Sequence, residues 1–82
     1  MKQNSNNNFQ QGLNALKQGK FNSAENYFRS LLEIEPSNPE INHNLGITLY
    51  KLNRFDEAEK LYKRLRQLEF QLLMLLKVVF FL

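Results

Sequence analysis

The residues of this chain that could take part in catalysis are few, and they do not form a catalytic pattern. His43 is the only histidine, and the chain has no cysteine. Glu33 and Glu35 lie close together in sequence, but Pro36 follows them and places them at a helix end, where carboxylates are usually solvated. No histidine accompanies a nucleophile, and there is neither a glycine-rich phosphate loop nor a set of converging carboxylates. The sequence therefore predicts a protein that is not an enzyme.

The composition also argues against metal sites and nucleic-acid binding. A single histidine cannot form a histidine cluster, and without cysteine neither a thiolate zinc site nor a disulfide can form. We therefore expect no metal and no cofactor. The net charge of +3 is small for 82 residues and the basic residues are spread along the chain, so nucleic-acid binding is not predicted. The first residues, MKQNSNNNF, contain no apolar run typical of a secretory signal, and the expected location is cytoplasmic.

The strongest pattern in the chain is an internal repeat with a period of 34 residues. The small residues repeat, since Gly12 aligns with Gly46, and Ala24 aligns with Ala58. The other aligned pairs are Leu13 with Ile47, Lys17 with Lys51, Lys20 with Arg54, Phe21 with Phe55, Glu25 with Glu59, Phe28 with Tyr62, Arg29 with Lys63 and Leu31 with Leu65. So many matches at one spacing indicate two copies of one structural unit.

Each unit is predicted to consist of two helices joined by a tight turn. In the first unit Phe9, Leu13 and Leu16 recur at spacings of three and four, which gives a helix one apolar face. Gly19 follows and predicts the turn, because glycine readily adopts the left-handed conformation that often ends a helix. Asn53 has the same place in the second unit and is the next most tolerant residue.

The helix ends are predicted from capping residues and prolines. Asn22 and Asp56 are expected to cap the second helix of each unit, because a carboxylate follows each of them three residues later. Pro36 is expected to end the second helix, and residues 37–39 to begin the third with Pro39 at its first position. Each unit has a glycine in its first helix and an alanine in its second. We expect these small residues to face each other and let the helices approach closely.

These residues resemble the tetratricopeptide repeat family over about residues 5–66. The residues that carry the resemblance are Gly12, Ala24, Phe28 and Pro36 of the first unit, and Leu45, Gly46, Leu49, Ala58 and Tyr62 of the second. Asn8 and Asn42 depart from the family, which often has a large apolar residue at both places. The resemblance implies an all-α fold, in which two tandem helix-turn-helix repeats form a short α-solenoid. The expected parts are a polar segment (1–8), a first repeat (9–36), a second repeat (37–69) and a hydrophobic tail (70–82).

The resemblance also implies a function. Repeats of this family stack so that their first helices line a concave groove, which binds a peptide or a helix of a protein partner. Carried over to this chain, the groove residues are Phe9, Leu13, Lys17, His43, Asn44, Ile47, Tyr50 and Lys51. Asn44 matches an asparagine that clamps a peptide C-terminus in some members, but Phe9 replaces a lysine of that clamp. The expected function is a non-catalytic protein–protein interaction scaffold; the alternative is a fragment or regulatory arm of a larger enzyme such as a transferase.

The tail begins at Phe70 and ends at residue 82. It is almost entirely apolar, and Lys77 is its one charged residue. No glycine or proline follows Gly46, so one long last helix is predicted from about residue 56 toward residue 80. The apolar run is too short to span a membrane, which takes about 20 residues. Because an apolar helix must be covered, we expect self-association or interfacial membrane contact through the tail. A truncated or frame-shifted gene end would give the same pattern.

Overall fold

The computed structural model describes residues 5–81, which form four α-helices and, within that range, no strand. The helices are α1 (Ser5–Lys17), α2 (Phe21–Ile34), α3 (Pro39–Lys51) and α4 (Phe55–Phe81). Short turns make neighbouring helices antiparallel, and α1 packs on α2, α2 on α3 and α3 on α4. The predicted all-α fold of two helix-turn-helix repeats with an extended last helix is confirmed. Residues 1–4 of the predicted polar segment and Leu82 of the tail lie outside the described residues.

The two turns within the repeats have the predicted conformation. Gly19 has a φ of 77° and Asn53 a φ of 64°, both in the left-handed region. The backbone hydrogen bonds around them also repeat, since Lys20 N donates to Ala15 O at 2.8 Å and Arg54 N donates to Leu49 O at 2.8 Å. The left-handed conformation is costly for most L-residues but not for glycine, and less so for asparagine. Residue type at these two positions therefore determines where the helices end.

The predicted capping of α2 and α4 by Asn22 and Asp56 is wrong. The helix α2 begins at Phe21, Lys20 has the cap position, and no side chain caps it. The helical backbone hydrogen bonds already begin at the turn, because Lys20 O accepts a hydrogen bond from Ala24 N at 3.0 Å. Asn22 is thus inside the first turn of its helix, and Asp56 is likewise inside the first turn of α4, which begins at Phe55. The left-handed turn residue, rather than a side-chain cap, fixes the start of both helices.

The start of α3 agrees with its prediction. Asn38 precedes the helix, and its Oδ1 accepts hydrogen bonds from Glu40 N at 2.9 Å and from Ile41 N at 3.2 Å. Pro39 has the first helical position, where its missing N–H leaves no helical hydrogen bond unmade. The side chain of Asn38, the last residue of the four-residue connection after α2, therefore caps the N-terminus of α3.

The core lies between the repeats and along each helix pair. The buried apolar residues are Ala15, Ala24, Phe28, Leu31, Ile41, Leu45, Leu49 and Ala58. A β-carbon added to Gly12 would lie 2.7 Å from Cε1 of Phe28, and one added to Gly46 would lie 3.0 Å from Cζ of Tyr62. The atoms nearest to each glycine therefore belong to an aromatic ring of the second helix of the same repeat.

Asn42 is fully buried at the start of α3, where the family often has an apolar residue. Its Nδ2 donates to Pro36 O at 3.0 Å and to Asn38 O at 2.8 Å. Its Oδ1 is buried without a hydrogen-bond partner among the described residues. The side chain thus replaces apolar packing with two hydrogen bonds that hold the connection between the repeats against α3.

Four charged residues form a closed ring between α2 and the start of α4. Glu25 accepts hydrogen bonds from Arg29 and Arg54, each at 2.8 Å. Glu57 completes the ring, because it pairs with Arg54 at 2.8 Å and with Arg29 at 3.1 Å. These ion pairs join the second helix of the first repeat to the turn of the second repeat.

Candidate functional site

Four of the eight predicted groove residues line one cleft between the repeats, which we call the first cleft. It encloses about 550 Å³ and is lined by Phe9, Leu13, Pro39, Glu40, His43, Asn44, Leu65 and Glu69. The first helices of both repeats form its walls, and α4 contributes the last two residues. Residues that lie about 30 positions apart in sequence therefore meet at one surface.

Aromatic contacts position the two rings of this cleft in the same way. The ring of Phe9 packs edge-on against Phe28, with centroids 6.0 Å apart, and His43 packs edge-on against Tyr62 at 5.8 Å. Phe9 and His43 are equivalent positions of the repeat, and so are Phe28 and Tyr62. Each second helix therefore supports a ring of its own first helix, and His43 is held as an aromatic wall of the cleft.

The charge of the first cleft is negative. Glu40 and Glu69 are the only acidic residues among those that line it, and no lysine or arginine is among them. The amide nitrogen of Asn44 donates to Glu40 O within its own helix at 2.9 Å. A clamp for a peptide carboxylate needs basic residues, and here two carboxylates would repel such a ligand. The clamp residues missing in the sequence are not replaced by others in the structure of this cleft.

The remaining predicted groove residues are not in the first cleft. Tyr50 lies in another cleft, the second cleft, which has a volume of about 560 Å³ and lies between α3 and α4. It is lined by His43, Tyr50, Phe55, Ala58, Glu59, Tyr62, Leu65, Arg66 and Glu69. Lys17, Ile47 and Lys51 line neither cleft. Lys17 and Lys51 are exposed, and Ile47 is half-buried.

The floor of the second cleft is aromatic. The Tyr50 ring packs edge-on against Phe55, with centroids 5.0 Å apart, and remains 61% exposed. Partial burial raises the pKa of the Tyr62 phenol above its ordinary value, so the ring is neutral at physiological pH. This cleft therefore presents an uncharged aromatic floor to whatever covers it.

Sequence reasoning missed the residues that α4 contributes to both clefts, Leu65 and Glu69. A signal for them was present, because Leu65 aligns with Leu31 one period earlier and Glu69 lies one helical turn beyond it. It was missed because only the first helix of each repeat was assigned to the groove. Within residues 5–81 the helix α4 packs on α3 alone, so Leu65 and Glu69 form part of the surface.

A profile of the tetratricopeptide repeat matches residues 15–74, which include all of α2 and α3. The chain therefore belongs to the tetratricopeptide repeat family. Repeats of this family are typically non-catalytic modules that mediate protein–protein interactions. Comparison with curated proteins gave no match, and comparison with solved structures gave none. Within residues 5–81, no helix combines the length and the apolar character needed to cross a membrane.

Proposed function

We propose that this protein is a non-catalytic interaction module that binds a peptide or helix of a partner protein in the first cleft. The observation that carries the proposal is the convergence of four predicted groove residues on one open surface that Leu65 also lines. These four residues are Phe9, Leu13, His43 and Asn44. If the chain is instead a fragment or regulatory arm of a larger enzyme, the same cleft would bind the same kind of ligand.

The lining of the first cleft defines the ligand that we propose. Phe9, Leu13 and Leu65 offer apolar surface, and burying one large apolar side chain against them is worth about 1.5 to 3 kcal/mol. Glu40 and Glu69 provide negative charge beside that surface. The ligand that fits is a segment with an apolar anchor residue and a nearby lysine or arginine. The exposed Lys17 and Lys51 lie outside the cleft and do not take part.

A peptide-display selection on the full chain tests this assignment. We expect the selected peptides to combine an apolar residue with a basic one. Fluorescence anisotropy then measures their affinity for the full chain. Glu40→Lys should weaken binding about tenfold, because it places a cation where the ligand carries one. Glu33→Lys is the matched control, since Glu33 is exposed and lines neither cleft. Equal loss in both variants, or peptides that depend on Lys17 or Lys51, would contradict the assignment.

A second contact surface belongs to the proposal. The large apolar residues from Phe70 to Phe81 are each at least 48% exposed on the projecting end of α4. Surfaces of this size and character rarely remain uncovered on a monomer. The proposed module therefore also contacts a second copy or a membrane surface through its tail.

A further inference from the structure

A largely apolar face runs along α4 from the second repeat into the tail, with Glu69 as its one charged residue. We call it the α4 stripe, and its residues, at successive steps of three or four, are Phe55, Ala58, Tyr62, Leu65, Glu69, Leu73, Leu76 and Phe80. Glu59, Arg66 and Lys77 follow one edge of the stripe, because steps of seven and eleven residues return to the same side of a helix. The stripe is thus a long apolar surface with one charged edge.

The first repeat shows what such a surface binds. On α2, Ala24, Phe28 and Leu31 are at most 1% exposed, because α2 packs on both α1 and α3. One period later, Tyr62 and Leu65 of α4 are still half-buried and border the open second cleft. Among the described residues α4 packs on α3 alone, which covers Ala58 and part of Tyr62, so α4 lacks the second neighbouring helix that α2 has in α3.

The first helix of another copy does not suit this surface. The helix α3 buries Ile41, Leu45 and Leu49 in the core that it shares with α2. At the equivalent positions α1 has Asn7, Gln11 and Ala15, of which two are polar. Copies stacked head to tail would place these amides against apolar residues, which is costly unless each amide finds a partner. Because head-to-tail stacking is unfavourable, a second copy can bind only in a two-fold symmetric dimer, in which the same surface of both copies forms the interface.

We propose that a second copy of this chain covers the α4 stripe, with the two α4 helices antiparallel. Residues 70–81 of each copy then lie along the second cleft of the other. This segment is about 18 Å long and α3 is about 20 Å long, so the tail can cover a surface of the size that α3 covers on α2. The direction also agrees, since α3 is antiparallel to α2. The inference deepens the tail contact of the proposed function. Leu65 and Glu69 belong both to the stripe and to the first cleft, so a second copy and a peptide would compete for them.

The charged edge of the stripe favours the antiparallel arrangement. With a two-fold axis near Leu68, Glu59 of one copy lies opposite Lys77 of the other, because the two are equally far from the axis. Arg66 and Glu69 flank the same axis two residues and one residue away, so Arg66 of one copy lies next to Glu69 of the other, one residue out of register. Each pair of opposite charges therefore occurs twice. Parallel helices in register would place Arg66 against Arg66 and Lys77 against Lys77, which is unfavourable.

The ion pairs of the first repeat support this assignment. Glu25 is the equivalent of Glu59, and Arg54 of the following repeat donates to it at 2.8 Å. Glu59 has only an exposed contact with Lys63 at 3.5 Å. Among residues 5–81, Arg66, Glu69 and Lys77 form no ion pair or hydrogen bond. The second copy would therefore give Glu59 the neighbouring cation that Glu25 already has.

A charge exchange tests the geometry in the full chain. Sedimentation equilibrium in detergent-free buffer should show a dimer, and Lys77→Glu or Glu59→Lys alone should weaken it about tenfold or more. The double variant with both changes should recover most of the loss, because the pair is restored in reverse. Lys60→Glu is the matched control, since Lys60 lies on the opposite side of α4 and its reversal should have little effect. A monomeric full chain, or a double variant as weak as the singles, would overturn the proposal.

Disulfide formation gives a second readout that does not rely on charge. The chain has no cysteine, so single-cysteine variants are unambiguous. Under mild oxidation Glu69→Cys should link two copies near the axis, and Gln67→Cys, on the opposite side of the helix, should not. Equal linking of both would show non-specific aggregation and overturn the proposal. So would binding of the tail to phosphatidylserine vesicles without any dimer in solution.

The dimer and the first cleft are tested separately. Glu40→Lys should leave the dimer unchanged. Lys77→Glu should not weaken peptide binding, because loss of the dimer frees Leu65 and Glu69 of the first cleft. If the charge exchange fails and peptide binding behaves as expected, only the dimer is rejected. If the charge exchange succeeds and Glu40→Lys does not weaken peptide binding, only the assignment of the first cleft is rejected.

Discussion

Arg54 and Glu25 connect the two repeats directly: Nη1 of Arg54 donates to Oε1 of Glu25 at 2.8 Å, across 29 positions of the sequence. Arg54 also pairs with Glu57, and Arg29 closes the ring. The first turn of α4 is therefore oriented on α2 by charge as well as by the apolar core.

This ring predicts a pH dependence for Glu57. The hydrogen bond from Arg54, with help from Arg29, holds the pKa of Glu57 below its ordinary value of 4.5. A lowered folded-state pKa stabilises the fold above about pH 4.5, and the contribution is lost as the pH falls through the folded-state value. Glu57→Gln should therefore lower the melting temperature at pH 7 and have a much smaller effect at the acid end of the range.

The control for this prediction is Glu33→Gln, because Glu33 is exposed and forms no ion pair among the described residues. Its effect on the melting temperature should be small and independent of pH. A difference between the wild type and Glu57→Gln that is constant from pH 7 to pH 3 would contradict the assigned role of the ring.

Gly12 and Gly46 should respond differently to alanine. Alanine is favoured over glycine inside a helix by about 1 kcal/mol. At Gly12 its β-carbon would lie 2.7 Å from the fully buried ring of Phe28, and overpacking of this kind costs about 1 to 3 kcal/mol. The ring of Tyr62 near Gly46 is half-buried and can shift. Urea unfolding should show Gly12→Ala to be the less stable of the two variants.

The steric explanation can be checked by making room for the new methyl group. Gly12→Ala combined with Phe28→Leu should be less destabilising than the sum of the two single changes, because leucine vacates the position of the ring. Additive free energies of unfolding would show that the contact between residues 12 and 28 is not the cause.

Asn42→Asp should destabilise the fold at neutral pH. The side chain of Asn42 donates hydrogen bonds to two backbone carbonyls in a fully buried site. An ionised carboxylate there cannot donate and would face both carbonyl oxygens, which should cost about 2 kcal/mol or more. The folded-state pKa of the new aspartate would be raised above the unfolded value of about 3.9, so the loss is smallest below that pH and grows as the pH rises. Urea unfolding of wild type and variant at pH 4 and pH 7 measures the difference, and an equal loss at both would contradict this reasoning.

The two left-handed turn residues should be exchangeable with each other but not with alanine. Gly19→Ala should cost about 1 kcal/mol of conformational free energy, because no atom lies within 4 Å of the added β-carbon and only the backbone is strained. Gly19→Asn should cost less, and Asn53→Gly should be nearly neutral. Thermal unfolding of the three variants measures the order. If alanine and asparagine at position 19 are equally stable, φ is not what selects these residues.

The helices and turns could be predicted because their signals are local. Gly19, Asn53 and Pro39 restrict the backbone wherever they occur, and the spacing of apolar residues indicates a helix face before any packing is known. The caps at Asn22 and Asp56 were predicted wrongly, because the same residue types are also common within the first turn of a helix. A cap position depends on where the preceding turn ends, and after the turn at Gly19 the cap position of α2 is Lys20, two residues before Asn22.

Contacts between the repeats could be predicted only in part. The 34-residue period gives equivalent positions, so the approach of Phe9 and His43 to one surface followed from the stacking of the repeats. The period does not give the pairing of Glu25 with Arg54, or the approach of Leu65 and Glu69 to the first cleft. These contacts depend on the angle at which one repeat lies on the other. Several packed side chains determine that angle together, and no single motif specifies it.

The unequal ends of this repeat pair give the fold a direction in which it can be lengthened. A designed unit copied from the second repeat and inserted after Glu69 would find on α4 the surface that α3 uses on α2. The same unit placed before α1 would meet the face that bears Asn7 and Gln11, and those two residues would need to be exchanged for apolar ones. Such an insertion would also separate the tail from the second cleft, so the number of repeats and the number of chains in the assembly would change together.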